Sequence, residues 1–245
     1  EAILSSMLHT DDSLYVGVVD PLPARDQYRS FETLLQSRGC EVVRVKDLLV
    51  WELRNNNEAM PAKSLRELEQ QIISKSQSLS KQYRVVYPGD LHLVMPILEE
   101  DAEEYGEEVA IRLNSLLCQT LTDELPMGNL LFGRDQSNLV GDTLFWSKMS
   151  KKIREPEVKV WKLALKEYLA NQKTFEVTGD GRLEGGDTII HNSDCLIGVG
   201  GRTNEIGVMQ VAPEIFKQGL NVYAVYHPDR ADGSMEHQTT MHLDT

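Results

Sequence analysis

The sequence has few cysteines and no long apolar run. Three cysteines, Cys40, Cys118 and Cys195, stand far apart among 245 residues, so they form neither a disulfide framework nor a C-x-x-C metal motif. This usage is typical of a reducing compartment, and we expect a cytoplasmic protein. No apolar run approaches the roughly 18 residues that a membrane span needs, so we expect no membrane partner.

Positive charge is also scarce. The chain carries 25 Lys+Arg against 38 Asp+Glu, which gives a formal net charge of −13. Nucleic-acid binding needs clustered Lys and Arg to neutralise phosphates, so we expect no nucleic-acid partner. A small cationic substrate remains compatible with this charge. Seven of the acids lie in segment 99–108, which we interpret as a solvated helix face.

The remaining composition, 41% hydrophobic and 26% charged, is that of a globular protein, and its pattern repeats a helix followed by a strand. Apolar spacing predicts a strand over 14–19, a helix over 24–38 that stops at Gly39, and a strand over 40–45. Helix 155–170 with strand 174–177, and helix 212–218 with strand 221–226, repeat this order. Three such units predict a modular α/β fold.

Between about residues 51 and 122 the pattern becomes helical. Two amphipathic faces are visible, one with Leu65, Leu68, Ile72 and Leu79, the other with Val109, Leu113, Leu116, Leu117 and Leu121. We therefore predict three regions: a first module over 1–54, a helical insertion subdomain over 55–122, and further modules over 123–245.

Two segments place acidic residues beside glycines that are typical of turns. The first, from Asn129 to Asp135, reads N-L-L-F-G-R-D, and its apolar part 130–132 is predicted to be a short strand. The second, from Glu184 to Asp187, reads E-G-G-D before a β-branched strand. Its glycines predict a tight turn that lets Glu184 face a cavity. Taken alone, the first segment is more typical of a surface salt bridge, and the second is more typical of a hairpin turn with solvated acids.

Two further segments carry an arginine and a histidine. Segment 198–204 reads G-V-G-G-R-T-N. It lacks the order of a phosphate-binding glycine loop, whereas the guanidinium of Arg202 is suited to bind a carboxylate. Segment 241–245 reads M-H-L-D-T, and strand geometry would put His242 and Asp244 on one face. A lone H-x-D pattern is also common by chance.

Together, and in this order, the four segments resemble the motifs of the arginine deiminase family of guanidine-modifying enzymes. Ile153-Arg154-Glu155 is similar to that family's Arg-Glu element, and the helical insertion lies where arginine deiminases carry one. The resemblance covers nearly the whole chain. It implies a pentein fold, an α/β propeller of ββαβ-type modules around a pseudo-fivefold axis. Dimethylargininases and amidinotransferases share this architecture, so the motifs are less specific for one member.

The resemblance implies hydrolysis of L-arginine to L-citrulline and ammonia, without a cofactor or a metal. Asp135 and Asp244 would bind the substrate guanidinium through charge-assisted hydrogen bonds. His242 would be the general acid and base. Glu184 would orient His242 and raise its pKa.

The resemblance also implies how the rest of the substrate is bound. Arg154 and Arg202, with Asn129, would hold the α-carboxylate of L-arginine. Arg134 and Asp187 belong to the same motifs and would support the residues that contact the substrate, with a direct catalytic effect of Asp187 left open.

In the family a cysteine attacks the guanidinium carbon, and it follows the M-H-L-D-T motif. We therefore expect the nucleophile and the closing part of the propeller beyond Thr245, and we interpret the three cysteines present as buried small hydrophobes. The alternatives are a non-catalytic or truncated arginine-binding member, an amidinotransferase or dimethylargininase, and a metal-dependent hydrolase that uses Glu184, His242 and Asp244. A homo-oligomer is compatible with the sequence.

Overall fold

The computed structural model of the chain describes residues 21–55, 59–83, 94–227 and 242–244. The chain divides into two compact units, Glu1–Leu131 with Leu163–Leu165, and Phe132–Lys162 with Lys166–Thr245. The strand predicted over 14–19 lies outside the described residues. None of the described helices is both long enough and apolar enough to span a membrane.

The first unit is helical in its described part. Its helices are α1 (Pro21–Ser37), α2 (Val45–Arg54), α3 (Leu65–Tyr83), α4 (Val94–Tyr105) and α5 (Glu107–Cys118). The apolar faces of α2 to α5 are buried and include Leu49, Leu68, Ile72, Leu98, Ile111 and Leu113, whereas Tyr28, Phe31 and Leu34 of α1 are exposed. The helical character predicted between 55 and 122 is therefore confirmed, while the division into three regions stays a prediction.

The segment that follows α1 departs from its prediction. Gly39 stops the helix in a left-handed conformation with φ of 81°, as its sequence position indicates. Residues 40–44, however, pair with no described strand, and Val45 begins α2, so the strand predicted over 40–45 is wrong. Cys40 is exposed, contrary to prediction, because no described sheet covers it. Alternating apolar residues form a strand only where a neighbour supplies hydrogen bonds.

The acid-rich segment 99–108 is not one solvated face. Gly106, with φ of 92°, separates α4 from α5. Asp101 is buried, contacts the ammonium of Lys46 and accepts a hydrogen bond from Asn114 Nδ2 at 2.8 Å. This acid therefore links helices of the first unit, because a buried carboxylate needs both a counter-charge and a donor.

The described part of the second unit contains two ββαβ modules. In the first, β1 (Ser137–Val140) pairs antiparallel with β2 (Thr143–Trp146), and after α6 (Glu155–Leu165) β3 (Lys173–Glu176) pairs parallel with β2. In the second, β4 (Thr188–His191), β5 (Asp194–Val199), α7 (Glu205–Phe216) and β6 (Asn221–Tyr226) repeat this order. The predicted modular α/β class is confirmed.

The two modules share a core. Apolar side chains from both sheets and from α7 form one buried cluster: Val140, Phe145, Val177, Leu183, Cys195, Ile197, Val199, Val208, Val211 and Ile215. Burial of such side chains stabilises a fold by about 25 cal/mol per Å² of apolar surface removed from water. The shared core holds the loops of both modules in fixed positions.

Two short strands predicted near the motifs are turns in the structure. Residues 130–132 lie in a turn region, and β1 begins only at Ser137. His242 and its two successors also form a bend and a turn. Short apolar runs do not by themselves distinguish a strand from a turn that buries one side chain.

Candidate active site

Five buried charged residues of the second unit lie in equivalent places of the two modules. Asp135 precedes β1 and Arg154 precedes α6, while Glu184 and Asp187 precede β4 and Arg202 precedes α7. In both modules, therefore, an acid stands before the first strand and an arginine before the helix. The repeated fold puts the same residue types in the same places.

His242 lies among three buried carboxylates. Its Nε2 is 3.6 Å from both Asp135 Oδ1 and Glu184 Oε2, and its Nδ1 is 3.6 Å from Asp187 Oδ1. Burial by itself lowers the pKa of an imidazole, but Asp135 and Asp187 outweigh it and raise the pKa of His242 to about 9. The side chain is therefore an imidazolium at neutral pH and can give up a proton.

Asp135 and Arg154 form a buried ion pair, with Nη1 2.7 Å from Oδ2. Burial raises the pKa of Asp135, but His242 and Arg154 bring it below its usual value. Arg154 Nε also donates to Glu157 Oε2 at 3.0 Å, and the same oxygen accepts from Gln136 Nε2 at 2.9 Å. Burial lowers the pKa of Arg154, yet Glu157 and Asp135 raise it above its ordinary range. The protein itself thus balances the charge of Arg154.

Glu184 has one hydrogen-bonded oxygen and one open oxygen. Oε1 accepts from the backbone N–H of Ser150 at 2.8 Å. Oε2 has no hydrogen-bond partner in the described part of the chain, and the nearest guanidinium nitrogens, Nη1 of Arg154 and of Arg202, are each 3.9 Å away. Glu184 is fully buried. A buried acceptor without a donor costs about 1–3 kcal/mol, so this oxygen is suited to a ligand that donates.

Arg202 is held more loosely than Arg154. Its Nη1 has no hydrogen-bond partner within the described ranges. The side chain is nevertheless buried, beside Glu184. A guanidinium nitrogen in this state can donate to a planar oxyanion such as a carboxylate.

Asp244 is anchored beside the cluster. Its carboxylate lies 3.2 Å from Arg134 Nε, and its backbone N–H donates to the carbonyl of Gly186 at 3.2 Å. Arg134 Nη2 also donates to the carbonyl of Thr188 at 2.6 Å. Arg134 thus ties the C-terminal turn to β4. Asp244 is exposed, and the guanidinium contact predicted for it stays a prediction.

The structure brings Asp135, Arg154, Glu184, Arg202 and His242 into one cluster. The roles predicted for these residues, and for Asn129, stay predictions. Asn129 is buried in a turn of the first unit.

Two buried residues of the cluster, Glu157 and His227, were missed by the sequence analysis. Glu157 lies at i+3 from Arg154, a spacing typical of a helical ion pair, and could have been found. His227 has no such local signal, because it reaches the cluster only through the pairing of β6 with β5.

The donor atoms of Asp135, Glu184 and His242 lie within 4.8 Å of one another. That spacing would admit a cation. Arg154 already contacts the two carboxylates, and the proton on His242 blocks a ligand nitrogen, so both features oppose a divalent ion. We therefore assign none of the three as a metal ligand.

Comparison with known proteins extends the motif resemblance to the whole sequence. Curated arginine deiminases from Borrelia duttonii and Mycobacterium bovis are 27% and 26% identical to this chain over 246 residues. The alignments cover 96% and 97% of this chain, but only 57% and 60% of those relatives. The chain therefore spans less than two thirds of their length.

A solved structure of DDAH from Pseudomonas aeruginosa, complexed with citrulline, overlaps with 49% of this chain and 44% of its own. Its TM-score is 0.40 and its sequence identity 19%. The model of the arginine deiminase family, by contrast, matches residues 12–245. Because that match takes in all four motifs and almost every residue, the chain belongs to the arginine deiminase family.

Proposed function

We propose that this chain supplies the guanidinium-binding carboxylates and the acid–base group of an arginine deiminase, which hydrolyses L-arginine to L-citrulline and ammonia. One observation carries the proposal: a fully buried carboxylate oxygen of Glu184 has no donor among the described residues, although it lies beside His242. A guanidinium presents planar N–H donors to such an oxygen. The relatives named arginine deiminase support the same substrate.

The formal charge of the cluster favours a cationic ligand. The buried carboxylates are those of Asp135, Glu157, Glu184 and Asp187, and the buried cations are Arg154, Arg202 and protonated His242. One negative charge is therefore left over. A guanidinium would neutralise it, whereas a neutral or anionic ligand would leave a buried charge without compensation.

His242 acts as the general acid and base at its Nε2 atom. Asp187 faces Nδ1 and fixes the proton there, so the transferable proton lies on Nε2, on the side of Asp135 and Glu184. The guanidinium carbon is a poor electrophile, and the leaving nitrogen must be protonated to depart as ammonia. After that step His242 is neutral and takes a proton from the attacking water.

A cysteine thiolate attacks the guanidinium carbon in this reaction, and we place it outside the 245 residues. Burial raises the thiol pKa of Cys118 to about 12 and of Cys195 to about 11, so neither is a thiolate at neutral pH. Cys40 is exposed in the first unit. The thiolate displaces ammonia, and water then hydrolyses the S-alkylthiouronium to citrulline and frees the thiol.

Arg202 is the principal ligand of the substrate α-carboxylate. Its Nη1 lacks a hydrogen-bond partner in the part of the chain that the structure describes. The charge of Arg154 is already matched by Asp135 and Glu157, so its predicted contact with the carboxylate is the weaker one. A cytoplasmic location and a homo-oligomeric state stay predictions from the sequence.

The test is the release of citrulline and ammonia from L-arginine by the full-length protein. We expect equal amounts of both products, without an added amine and without sensitivity to a chelator. Glu184→Gln should remove this activity, whereas Glu176→Gln, which changes an exposed acid of β3, should not.

Other outcomes would each contradict the proposal. Arginine binding without citrulline would indicate a non-catalytic member, and a need for an amine acceptor would indicate an amidinotransferase. Faster turnover of a methylated arginine would indicate a dimethylargininase. Loss of activity with a chelator would indicate a metal-dependent hydrolase.

A further inference from the structure

Asp187 connects two buried histidines. Its Oδ1 lies 3.3 Å from His227 Nε2 and 3.6 Å from His242 Nδ1, and it accepts a hydrogen bond from the backbone N–H of Leu243 at 3.2 Å. Its Oδ2 accepts from the backbone N–H of Thr203 at 3.1 Å. Both imidazoles and the carboxylate are buried. The carboxylate is thus fixed by the backbone on two sides and shared by two rings.

The fold specifies the position of His227. The residue directly follows β6, and its backbone N–H donates to the carbonyl of Val199 at 3.0 Å. The neighbouring residue in β5, Gly198, leaves room for the ring. A Cβ at Gly198 would lie 2.8 Å from His227 Nε2 and 2.9 Å from Asp187 Oδ1, closer than real Cβ atoms approach. A glycine is therefore required where the ring meets the carboxylate.

The two imidazoles compete for one oxygen. A carboxylate oxygen has two lone pairs, yet three N–H groups converge on Asp187 Oδ1: those of His227, His242 and the Leu243 backbone. A hydrogen bond from His227 therefore draws charge away from the oxygen that faces His242. Without that bond, Asp187 would interact more strongly with the imidazolium.

We propose that His227 is a positioning residue, whose Nε2–H holds the Asp187 carboxylate and limits how strongly that carboxylate stabilises protonated His242. Its importance for catalysis rests on the proposed function, because it acts through the acid–base group. The contact between the two rings and the carboxylate does not depend on that function.

Among the described residues, His227 reaches the charged groups around His242 through Asp187. Asp135 and Glu184 face His242 Nε2. Arg154 contacts Asp135, and both Arg154 and Arg202 lie 3.9 Å from Glu184. Arg134 pairs with Asp244, two residues after His242. His227 contacts this set through Asp187.

The experiment compares His227→Leu with His227→Gln in the full-length protein. Leucine removes the donor, whereas the glutamine amide can place an N–H near the position of Nε2. The titration of His242 is followed by NMR of the imidazole nitrogens, with the signal assigned by its loss in His242→Asn. We expect the Leu variant to titrate higher than the wild type by about half a pH unit or more. The Gln variant should match the wild type.

His227→Ala provides a second route if His227→Leu fails to fold. It removes the same donor without adding bulk beside Asp187, and it should shift the titration of His242 in the same upward direction. Thermal unfolding of each variant checks that the comparison is made on folded protein.

The outcomes separate this inference from the proposed function. No shift in the Leu variant, a downward shift, or the same shift in the Gln variant would overturn the role of His227. If the NMR titration shifts while the pH profile of citrulline release does not, His227 keeps its role and His242 is not the acid–base group.

Discussion

The two ββαβ modules carry an acid and an arginine at equivalent positions but use them differently. In the first module, Arg154 donates to Asp135 at 2.7 Å. In the second, Arg202 Nη1 stays 3.9 Å from Glu184 Oε2, and neither atom has a hydrogen-bond partner in the described ranges. The closed pair stabilises the fold, whereas the open pair leaves a donor and an acceptor for a ligand. One backbone arrangement thus carries a paired arginine in one copy and an open arginine in the other.

Removing the charge of Asp135, the acid of the closed pair, should have the largest effect on turnover. We expect Asp135→Asn to reduce turnover by more than about 100-fold and to weaken arginine binding severely, because the guanidinium loses a charged acceptor. Buried Arg154 would keep Glu157 but lose its charge-assisted hydrogen bond to Asp135, at a cost of about 1–3 kcal/mol in the free energy of unfolding. Citrulline assays, arginine calorimetry and urea denaturation measure these effects.

The control for that variant is Asp142→Asn, which changes an exposed acid of the same module. It should alter neither turnover nor stability. Wild-type turnover in Asp135→Asn would show that the guanidinium contact has been placed on the wrong residue.

Replacing each arginine in turn should show that the two pairs differ in their contributions to stability and to binding. Arg154→Leu should lower the free energy of unfolding by about 3–5 kcal/mol, because buried Glu157 would lose its ion pair and Asp135 would keep only His242 as a counter-charge. Arg202→Leu should lower it by only about 1 kcal/mol, yet weaken arginine binding by about tenfold or more. Urea denaturation and arginine calorimetry of both variants measure the two effects. Equal losses of stability would show that the two pairs do not differ.

The stability of the cluster should fall at alkaline pH. The pKa of His242 is raised from 6.5 to about 9 in the folded protein. Its contribution is therefore fully present below about pH 6.5 and is lost as the pH rises through about 9. The fall should be at most about 3 kcal/mol, and urea denaturation across this range measures it. His242→Asn should remove this fall, whereas His191→Asn, a change of an exposed histidine in β4, should leave it.

The smallest effect on activity is expected in the core of the second module. Cys195→Ala should cost about 1 kcal/mol of stability, since it removes one buried sulfur from β5. Turnover should be unchanged, because the thiol is buried among apolar side chains and not at the site. A folded Cys195→Ala variant without citrulline release would contradict the proposed position of the nucleophile.

The convergence of the motif residues was expected from the family resemblance, whereas the turns that carry some of them have local signals. The glycines at 185 and 186 predict the turn that buries Glu184, and the helix stop at Gly219 predicts where β6 begins. The α/β class, which the structure confirms, was predicted from signals that are also local: an apolar period of 3.6 residues followed by a short β-rich run.

What could not be foreseen depends on partners distant in the sequence. His227 contacts Asp187 only because β6 pairs with β5. The apolar run 130–132 has the composition of a strand but no strand beside it in the described structure. Cys40 is exposed for the same reason. A sheet is a property of pairs of segments, and one segment does not carry the information about its neighbour.

The turns between β1 and β2 and between β4 and β5 lie at the ends of the strands away from the charged cluster. Gly141 and Asn192 take positive φ angles of 58° and 53° there. The first turn is held by a hydrogen bond from Asp142 N to Gln218 Oε1, whereas Asn192 and Ser193 are exposed. The six residues of β5 span about 20 Å. A fluorophore coupled to Ser193→Cys, after replacement of Cys40, would therefore report on the charged cluster from a distance without contacting it.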